Sequence, residues 1–295
     1  MKLIIQIPCY NEEEKLEETI NDLPKKIEGI DIIEYMVVND GSTDKTELIA
    51  KKNNVNYIVD IFPNKGLANA FMTGIDECLK NEADIIVNID GDHQYSGKDI
   101  PKLIEPIINK NADMVIGERQ LEKFSLIKRY LQKMGSWVIR IISKTEVLDA
   151  PSGFRAYSRE YALKLNVYNQ FTYTLETIIQ AGSNKAKIES VKIKSFPNTR
   201  KSRLFKNMFQ YVYKSMANVI KALFIYKPIK IWGILSGITF FIFVLLIGIG
   251  KEYKIFSFVF LLLAVQFGIA SFQSISVQAN RKLLEKIQYY MKKEE

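Results

Sequence analysis

The sequence predicts an α/β sandwich with a mostly parallel sheet, followed by two helices that cross a membrane. Three observations carry that prediction. Short apolar runs of strand length alternate with amphipathic helical stretches over the first half of the chain; almost all long apolar runs lie beyond residue 228; and positive charge gathers just ahead of them. A composition of 47% hydrophobic and 25% charged residues over 295 positions excludes a disordered chain and supplies a full core.

The strand runs are residues 3–7, 32–38, 57–61, 85–89 and 114–116, rich in Ile and Val and separated by helix patterns. Such alternation places ligands beyond the carboxyl ends of the strands. Further on, residues 231–250 form 20 positions without a charge and residues 255–280 another 26, joined by Lys251-Glu252-Tyr253-Lys254. At about 1.5 Å per residue either run spans a hydrocarbon core of roughly 30 Å. The short connector predicts an antiparallel hairpin. Lys221, Lys227 and Lys230 precede it, and Arg281, Lys282, Lys286, Lys292 and Lys293 follow, so the positive-inside bias puts both termini and the first domain in the cytoplasm. Two buried helices of a soluble protein would need a far larger domain around them.

Residues 191–230 hold ten Lys or Arg and no Asp or Glu; without these ten, 31 basic residues face 33 acidic ones. The formal charge of +8 is therefore a local patch, which beside apolar spans reads as attraction to anionic membrane lipids. Nucleic acid is a poorer partner, with neither a recognition helix nor an RNA-binding sheet motif in view. Within 205–223, Phe205, Met208, Val212, Met216, Val219, Ile220 and Leu223 recur at helical spacing with Lys206, Lys214 and Lys221 between them. Residues 121–142 repeat the design with Phe124, Ile127, Leu131, Met134, Val138 and Ile141 apolar and Lys123, Lys128, Arg129, Lys133 and Arg140 basic. Both stripes suit an interfacial helix or a core-facing one. The expected divisions are a catalytic domain over 1–203, a juxtamembrane amphipathic helix over 204–227, two spans over 228–280 and a basic tail over 281–295. Cys9 and Cys78 form neither a disulfide framework nor a metal-ligand spacing, which fits a reducing compartment. The amino terminus reads as a strand rather than a signal peptide.

The first strand ends Ile7-Pro8-Cys9-Tyr10-Asn11-Glu12, the second Val38-Asn39-Asp40-Gly41-Ser42-Thr43-Asp44, and the fourth Ile89-Asp90-Gly91-Asp92-His93-Gln94. Three exits thus deliver carboxylates to one sheet edge, with Gly41 and Gly91 at the turns and Asp44 available as a helix cap. Asp90 and Asp92 need a counter-charge if they stand in apolar surroundings. Oxygen ligands suit Mg2+ or Mn2+, which usually bridges to substrate phosphates. A lone Asp-x-Asp would be an ordinary solvated loop; acids at neighbouring exits favour the ion.

In order along the chain, Pro8 to Glu12, Asn39 to Thr46, Asn64-Lys65-Gly66, Asp90 to Gln94, Gly117-Glu118-Arg119 and Ser152-Gly153-Phe154-Arg155 resemble the motifs of family 2 glycosyltransferases. Within that family the chain looks like the polyprenyl-phosphate glycosyltransferases of the dolichol-phosphate mannose synthase type. The resemblance implies a GT-A fold, a nucleoside diphosphate sugar donor (UDP-sugar favoured over GDP-sugar), a Mg2+ or Mn2+ ion, and a polyprenyl phosphate acceptor, dolichyl or undecaprenyl. It further implies that Pro8, Tyr10, Glu12, Asp40 and Lys65 hold the nucleotide together with Asp90, Gly91 and Asp92, and that Asp90, Asp92 and Gln94 hold the metal. Arg119, Arg129 and Arg155 would act with Asp92 in catalysis. Ser152, Arg200, Ser202 and Arg203 would line the acceptor or close over the phosphates. The chain departs from the family pattern at His93 and Tyr95, at Lys133 where a Ser is aligned, and in a basic loop without its glycine.

A phosphate acceptor is already ionised and needs no general base. Glu176 stands in a region where relatives working on hydroxyl acceptors often place their base, and Asp149 is a second candidate; both are expected instead to orient arginines. Attack from the far side inverts the anomeric centre. Two other readings compete: a transferase acting on a glycan or polymer, which would carry a Gln-x-x-Arg-Trp motif and more spans, and a scaffold without catalysis, against which the clustered charges argue. Phosphate-loop, dinucleotide and nucleophile-elbow motifs are missing.

Overall fold

The computed structural model describes residues 1–120, 126–168, 173–196 and 208–294. They divide into one compact unit of Met1–Tyr211 with Tyr289–Glu295 and a second of Val212–Gln288. In the first, β1 (Lys2–Cys9), β2 (Ile32–Asn39), β3 (Tyr57–Asp60), β4 (Ile85–Asn88), β5 (Met114–Arg119), β6 (Arg155–Ser158) and β7 (Ile188–Ile193) form one sheet in the order β3-β2-β1-β4-β6-β5-β7. Every neighbouring pair is parallel except those of β6, which runs antiparallel to both β4 and β5. Five of these strands are the apolar runs read from the sequence. The other two, β6 and β7, have no such run.

Helices cover the sheet: α1 (Leu16–Asn21), α2 (Thr46–Lys52), α3 (Leu67–Lys80), α4 (Ile100–Ile108), α5 (Leu126–Ser143), α6 (Arg159–Ala162) and α7 (Thr174–Ser183). One face of the sheet buries Leu3, Ile5, Ile7, Val37, Val87 and Val115 against Leu16, Leu103 and Ile104 of α1 and α4. Each fully buried aliphatic side chain of this kind contributes about 1.5–3 kcal/mol. On the other face, α3 lays Phe71, Ile75 and Cys78 on β1 and β2, and Gly74 lets it approach, since a Cβ there would meet Gln6 Oε1 at 2.3 Å.

Packing turns part of the apolar stripe on α5 outward, the interfacial of the two placements that its spacing allows. Met134 and Ile141 are exposed, as are Tyr130 and Trp137, while the face turned to the unit carries Gln132, Ser136, Ile139 and Ser143. Hydrogen bonds from Gln132 and Ser136 to the Asp149–Ala150 segment select that face, so its polarity does not keep it outside. Lys123 and Phe124 lie outside the described residues.

In the second unit, α8 (Met208–Tyr226) leads to α9 (Pro228–Ile249) and, after a turn at Lys251–Tyr253, to α10 (Lys254–Glu294). Both α9 and α10 are long and apolar enough to cross a membrane. They pack together through small residues: Ser236 Oγ donates to Ala264 O (2.8 Å), Ser271 Oγ to Ile229 O (3.0 Å), and Gly233 and Gly268 face those serines. Trp232 stacks on Phe267. The stretch expected as a basic tail continues α10 as helix to Glu294.

Candidate active site

Sheet topology assembles the site. β1, β2 and β4 are adjacent and parallel, so their exits at Tyr10, Asp40 and Asp90 share one edge. Because β6 runs the other way, its start at Arg155 lies opposite Asn88, and the segment before it, Asp149 to Phe154, enters at that same edge. β5 pairs Ile116 with Arg155 and ends there too, at Arg119.

Asp90 and Asp92 flank Gly91, where a Cβ would meet Cys9 Sγ at 2.8 Å. Burial, and after it the charge of Asp92, lifts the Asp90 carboxyl from an ordinary 3.8 to about 7, with Arg119 pulling in the opposite direction. The pair is a set of oxygen donors of the kind that suits a divalent cation. Among the described residues no three His, Cys, Asp or Glu side chains gather as a metal cage. Gln94 is not aimed as a ligand: its Nε2 donates to Asp92 Oδ2 (2.7 Å) and its backbone N–H to Asp92 Oδ1 (3.2 Å), so it orients Asp92. His93, with φ of 55°, stacks on Phe196 and lies 3.4 Å from Glu18, away from the aspartates.

Beneath Asp90 runs a buried polar ladder. Gln6 Nε2 donates to Asn88 Oδ1 (2.9 Å), and Asn88 Nδ2 donates to Gly153 O (2.9 Å) and Tyr173 Oη (2.8 Å). Gly153 N–H donates to the Tyr95 hydroxyl (3.1 Å), whose pKa burial raises to about 12. A Cβ on Gly153 would stand 2.7 Å from Asp90 Oδ2, so glycine is required by the approach of the carboxylate. Sequence reasoning missed Gln6, Asn88, Tyr95 and Tyr173. The available signal was polarity inside apolar strands, since Gln6 and Asn88 interrupt two such runs and stand in register.

Arg119 is gripped by Asp149, donating from Nε to Oδ2 (2.8 Å) and from Nη2 to Oδ1 (2.9 Å), and Gln132 Nε2 adds a third bond to Oδ1 (2.7 Å). Burial alone would raise the Asp149 carboxyl; Arg119 outweighs it and holds the group below its usual range. Asp149 is thus an orienting residue. Arg155, expected to act in catalysis, is fully buried and donates to Ser152 O (2.7 Å), Thr177 Oγ1 (2.6 Å) and Ala150 O (2.8 Å), tying the 150–152 segment to α7. Glu176, on the first turn of α7, is buried and accepts from Tyr168 N–H (3.0 Å).

Asp40, expected to hold the nucleotide, is bonded to the chain itself. Its two oxygens accept from the backbone N–H groups of Lys65 and Gly66 (both 2.8 Å), so it shapes the loop ahead of α3. Gly41, at φ of 72°, leaves room for Asn64. Asp44 accepts from Thr46 N–H at the start of α2, as a cap would. Pro8 is buried inside β1 and pairs with Val38, while Tyr10 and the Lys65 side chain are exposed at the edge and Glu12 is half-buried there. Ser152 Oγ is buried without a hydrogen-bond partner. Arg129, on α5, is half-buried. Arg200, Ser202 and Arg203 lie outside the described residues; the chain runs towards them from Phe196, whose N–H donates to Gln94 O (2.9 Å).

A family model described as glycosyl transferase family 2 matches residues 4–165. An uncharacterized protein of Methanocaldococcus jannaschii is 34% identical over 66% of this chain and 81% of its own length. The UDP-N-acetylglucosamine–dolichyl-phosphate N-acetylglucosaminyltransferase of Methanococcus voltae is 30% identical over 64% of the chain and 83% of its length. The dolichol-phosphate mannosyltransferase of Pyrococcus furiosus is 32% identical over 63% of the chain and 54% of its length. Among solved structures, the glucosyl-3-phosphoglycerate synthase of Mycobacterium tuberculosis with Mn2+, UDP and phosphoglyceric acid superposes with a TM-score of 0.60 at 18% identity, covering 76% of this chain and 77% of that one. At that identity the likeness is one of fold, the GT-A fold.

Proposed function

The chain belongs to glycosyl transferase family 2, and on that premise we propose that it transfers one sugar from a UDP-sugar to a polyprenyl phosphate at the cytoplasmic membrane face, with inversion and with Mg2+ or Mn2+. The observation that carries the reading is the Asp90–Asp92 pair, raised to about 7 at Asp90 at the shared exit of three parallel strands. A diphosphate and two carboxylates repel one another, and a divalent cation between them neutralises the leaving group. Asp92, aligned by Gln94, and Asp90, seated against Gly153, would hold the ion. Arg119, fixed in its plane by Asp149, would meet phosphate charge, as would Arg129, Arg200 and Arg203. Tyr10, Glu12 and Lys65 stand at the edge where a nucleoside would lie. Two named relatives use dolichyl phosphate by their names, and a fold neighbour was solved with UDP and Mn2+. The pair of apolar helices, long enough to cross a membrane, supports the membrane location.

An acceptor that arrives ionised leaves the enzyme to align it behind the sugar carbon, without removing a proton. The buried Glu176, already bonded to Tyr168, suits an orienting role. The test is transfer of labelled sugar from a panel of UDP- and GDP-sugars to polyprenyl phosphate. Asp92→Ala is expected to abolish transfer, and Glu176→Gln to retain it. A Glu176→Gln variant as inactive as Asp92→Ala with donor affinity intact, or a sugar hydroxyl outperforming the phosphate, would overturn the acceptor assignment.

A further inference from the structure

One line down α10 is at odds with its surroundings. Gln266, Gln273 and Asn280 recur every seven residues and are exposed, inside the charge-free run of residues 255–280. At about 1.5 Å per residue, Gln266 lies near mid-span, about 18 Å from Lys254 and about 22 Å from Arg281, and Gln273 lies about 12 Å inside the Arg281 end. The hairpin packs on another face, through Ala264, Phe267, Gly268 and Ser271. An amide turned to hydrocarbon is costly, and polar side chains in a span mark helix contacts or function. Continued at the same spacing, the line becomes apolar where the charge-free run ends: Leu284, Ile287 and Met291 are 59%, 46% and 59% exposed. Ile287 and Met291 stand about 9 and 15 Å beyond Arg281, farther than the roughly 5–7 Å of head groups flanking a hydrocarbon core. The other side of this stretch is already occupied, with Arg281 over the Tyr226 ring (4.5 Å), Tyr289 Oη donating to Glu160 (3.3 Å) and Lys292 paired with Asp76 (2.8 Å).

We infer that this line is a self-association surface, on which two copies of the chain pair α10 with α10, parallel and in register, through Gln266, Gln273 and Asn280 within the bilayer and Leu284, Ile287 and Met291 beyond it. The inference rests on the membrane hairpin and is independent of which sugar or acceptor is used. Amides stand where lipid would be, and bare aliphatic side chains where water would be; a protein helix suits both halves of the line. Electrostatics selects a second copy as that helix. Chains inserted in the same direction meet at a two-fold axis, where each residue on the line faces itself. Like charges would repel there, whereas an amide carries donor and acceptor together and pairs with its own kind. With Ala270 and Val277 between them, the residues from Gln266 to Met291 fill the a and d positions of a heptad, and none of them is charged. Seven-residue spacing keeps such a seam closed through a left-handed supercoil.

Cys9 and Cys78 are buried, so a single added cysteine in the full chain reports disulfide formation. Leu284→Cys, on the line, and Lys282→Cys, exposed on the other side of the helix, are reconstituted separately into phospholipid vesicles at two protein-to-lipid ratios and oxidised with copper phenanthroline. Leu284→Cys should give covalent dimer at least about tenfold faster, because facing a positions bring the thiols within disulfide reach. Adding Ile287→Glu should abolish that cross-link by setting two carboxylates face to face. Gln266→Leu with Gln273→Leu should weaken association about tenfold in two-colour energy transfer between chains labelled at Lys282→Cys, since two interhelical amide pairs are lost. Leucine at both places makes the span more apolar, so a loss of transfer does not report failed insertion. Equal cross-linking rates at residues 284 and 282, a yield that only follows the protein-to-lipid ratio as chance collision does, or energy transfer indifferent to the two leucines would overturn the inference. Neither donor nor acceptor enters the measurement, so its failure leaves the polyprenyl-phosphate reading standing.

Discussion

Replacing Asp90 with Asn tests the charge imbalance on which the metal assignment depends. In the folded chain burial and Asp92 raise this carboxyl from 3.8 to about 7. Below about pH 4 folded and unfolded chains both keep the proton, and stability does not depend on it. Between about pH 4 and 7 the unfolded chain releases the proton while the folded chain retains it, so stability falls as pH rises and the loss is complete above 7. A difference of about three pK units amounts to roughly 4 kcal/mol, or roughly ten degrees in Tm for a unit of this size. Asn preserves the shape of the side chain and removes its titration. The assay is thermal unfolding of the full chain between about pH 5 and 8, in chelator and in Mn2+; about two thirds of the loss falls in that window. The parent chain should weaken with pH in chelator and recover with Mn2+, whereas Asp90→Asn should show a much flatter profile and little response to the ion. Parallel pH profiles for the two chains, or equal stabilisation by Mn2+, would refute the reasoning.

Gly153→Ala places a methyl group 2.7 Å from Asp90 Oδ2 and 3.0 Å from the Tyr173 hydroxyl; calorimetric Mn2+ titration should show at least roughly tenfold weaker binding, with a stability loss of about 1–3 kcal/mol. In Arg155→Lys one ammonium nitrogen replaces three separately placed guanidinium nitrogens and cannot reach all their acceptors, which should cost about 3 kcal/mol, read as a lower denaturant midpoint at unchanged slope. In sealed vesicles, an impermeant thiol reagent should reach Tyr253→Cys from the face opposite to the one that exposes Lys282→Cys; labelling of both from one face would contradict the hairpin orientation.

Much of this architecture is legible in the sequence because parallel strands buried on both faces read as continuous Ile and Val runs. β1, β2 and β4, with the acids just past their ends, stand out for that reason. β6 does not: four residues beginning with a buried Arg155 carry no apolar run, and its insertion between β4 and β5 is decided by tertiary pairing. β7 is an edge strand with Glu189 and Lys192 at its surface, so its alternation is weak. Two charged motif residues have partners that the sequence does not announce. Arg155 and Asp40 look like ligand-binding groups in a motif, yet both spend their hydrogen bonds on the chain itself. On α5 the periodicity alone left the facing open; Gln132 and Ser136 bond the 149–150 segment, and Tyr130, Met134, Trp137 and Ile141 are exposed.

The ladder under Asp90 also constrains how this sequence can change. Gln6 and Asn88 occupy paired positions on β1 and β4, and each satisfies a polar atom of the other in a place water does not reach. Gln6→Leu by itself strands the Asn88 carbonyl, and Asn88→Val by itself leaves the Gln6 amide on its longer bond to Phe71 O (3.4 Å) and Gly153 O on the Tyr173 hydroxyl (3.2 Å); a buried polar group left alone costs about 1–3 kcal/mol, and a weakened one a part of that. Exchanging both for apolar residues of matching volume removes most of that penalty. Drift at these two sites therefore proceeds by linked steps, and homologues lacking one of the pair should lack the other.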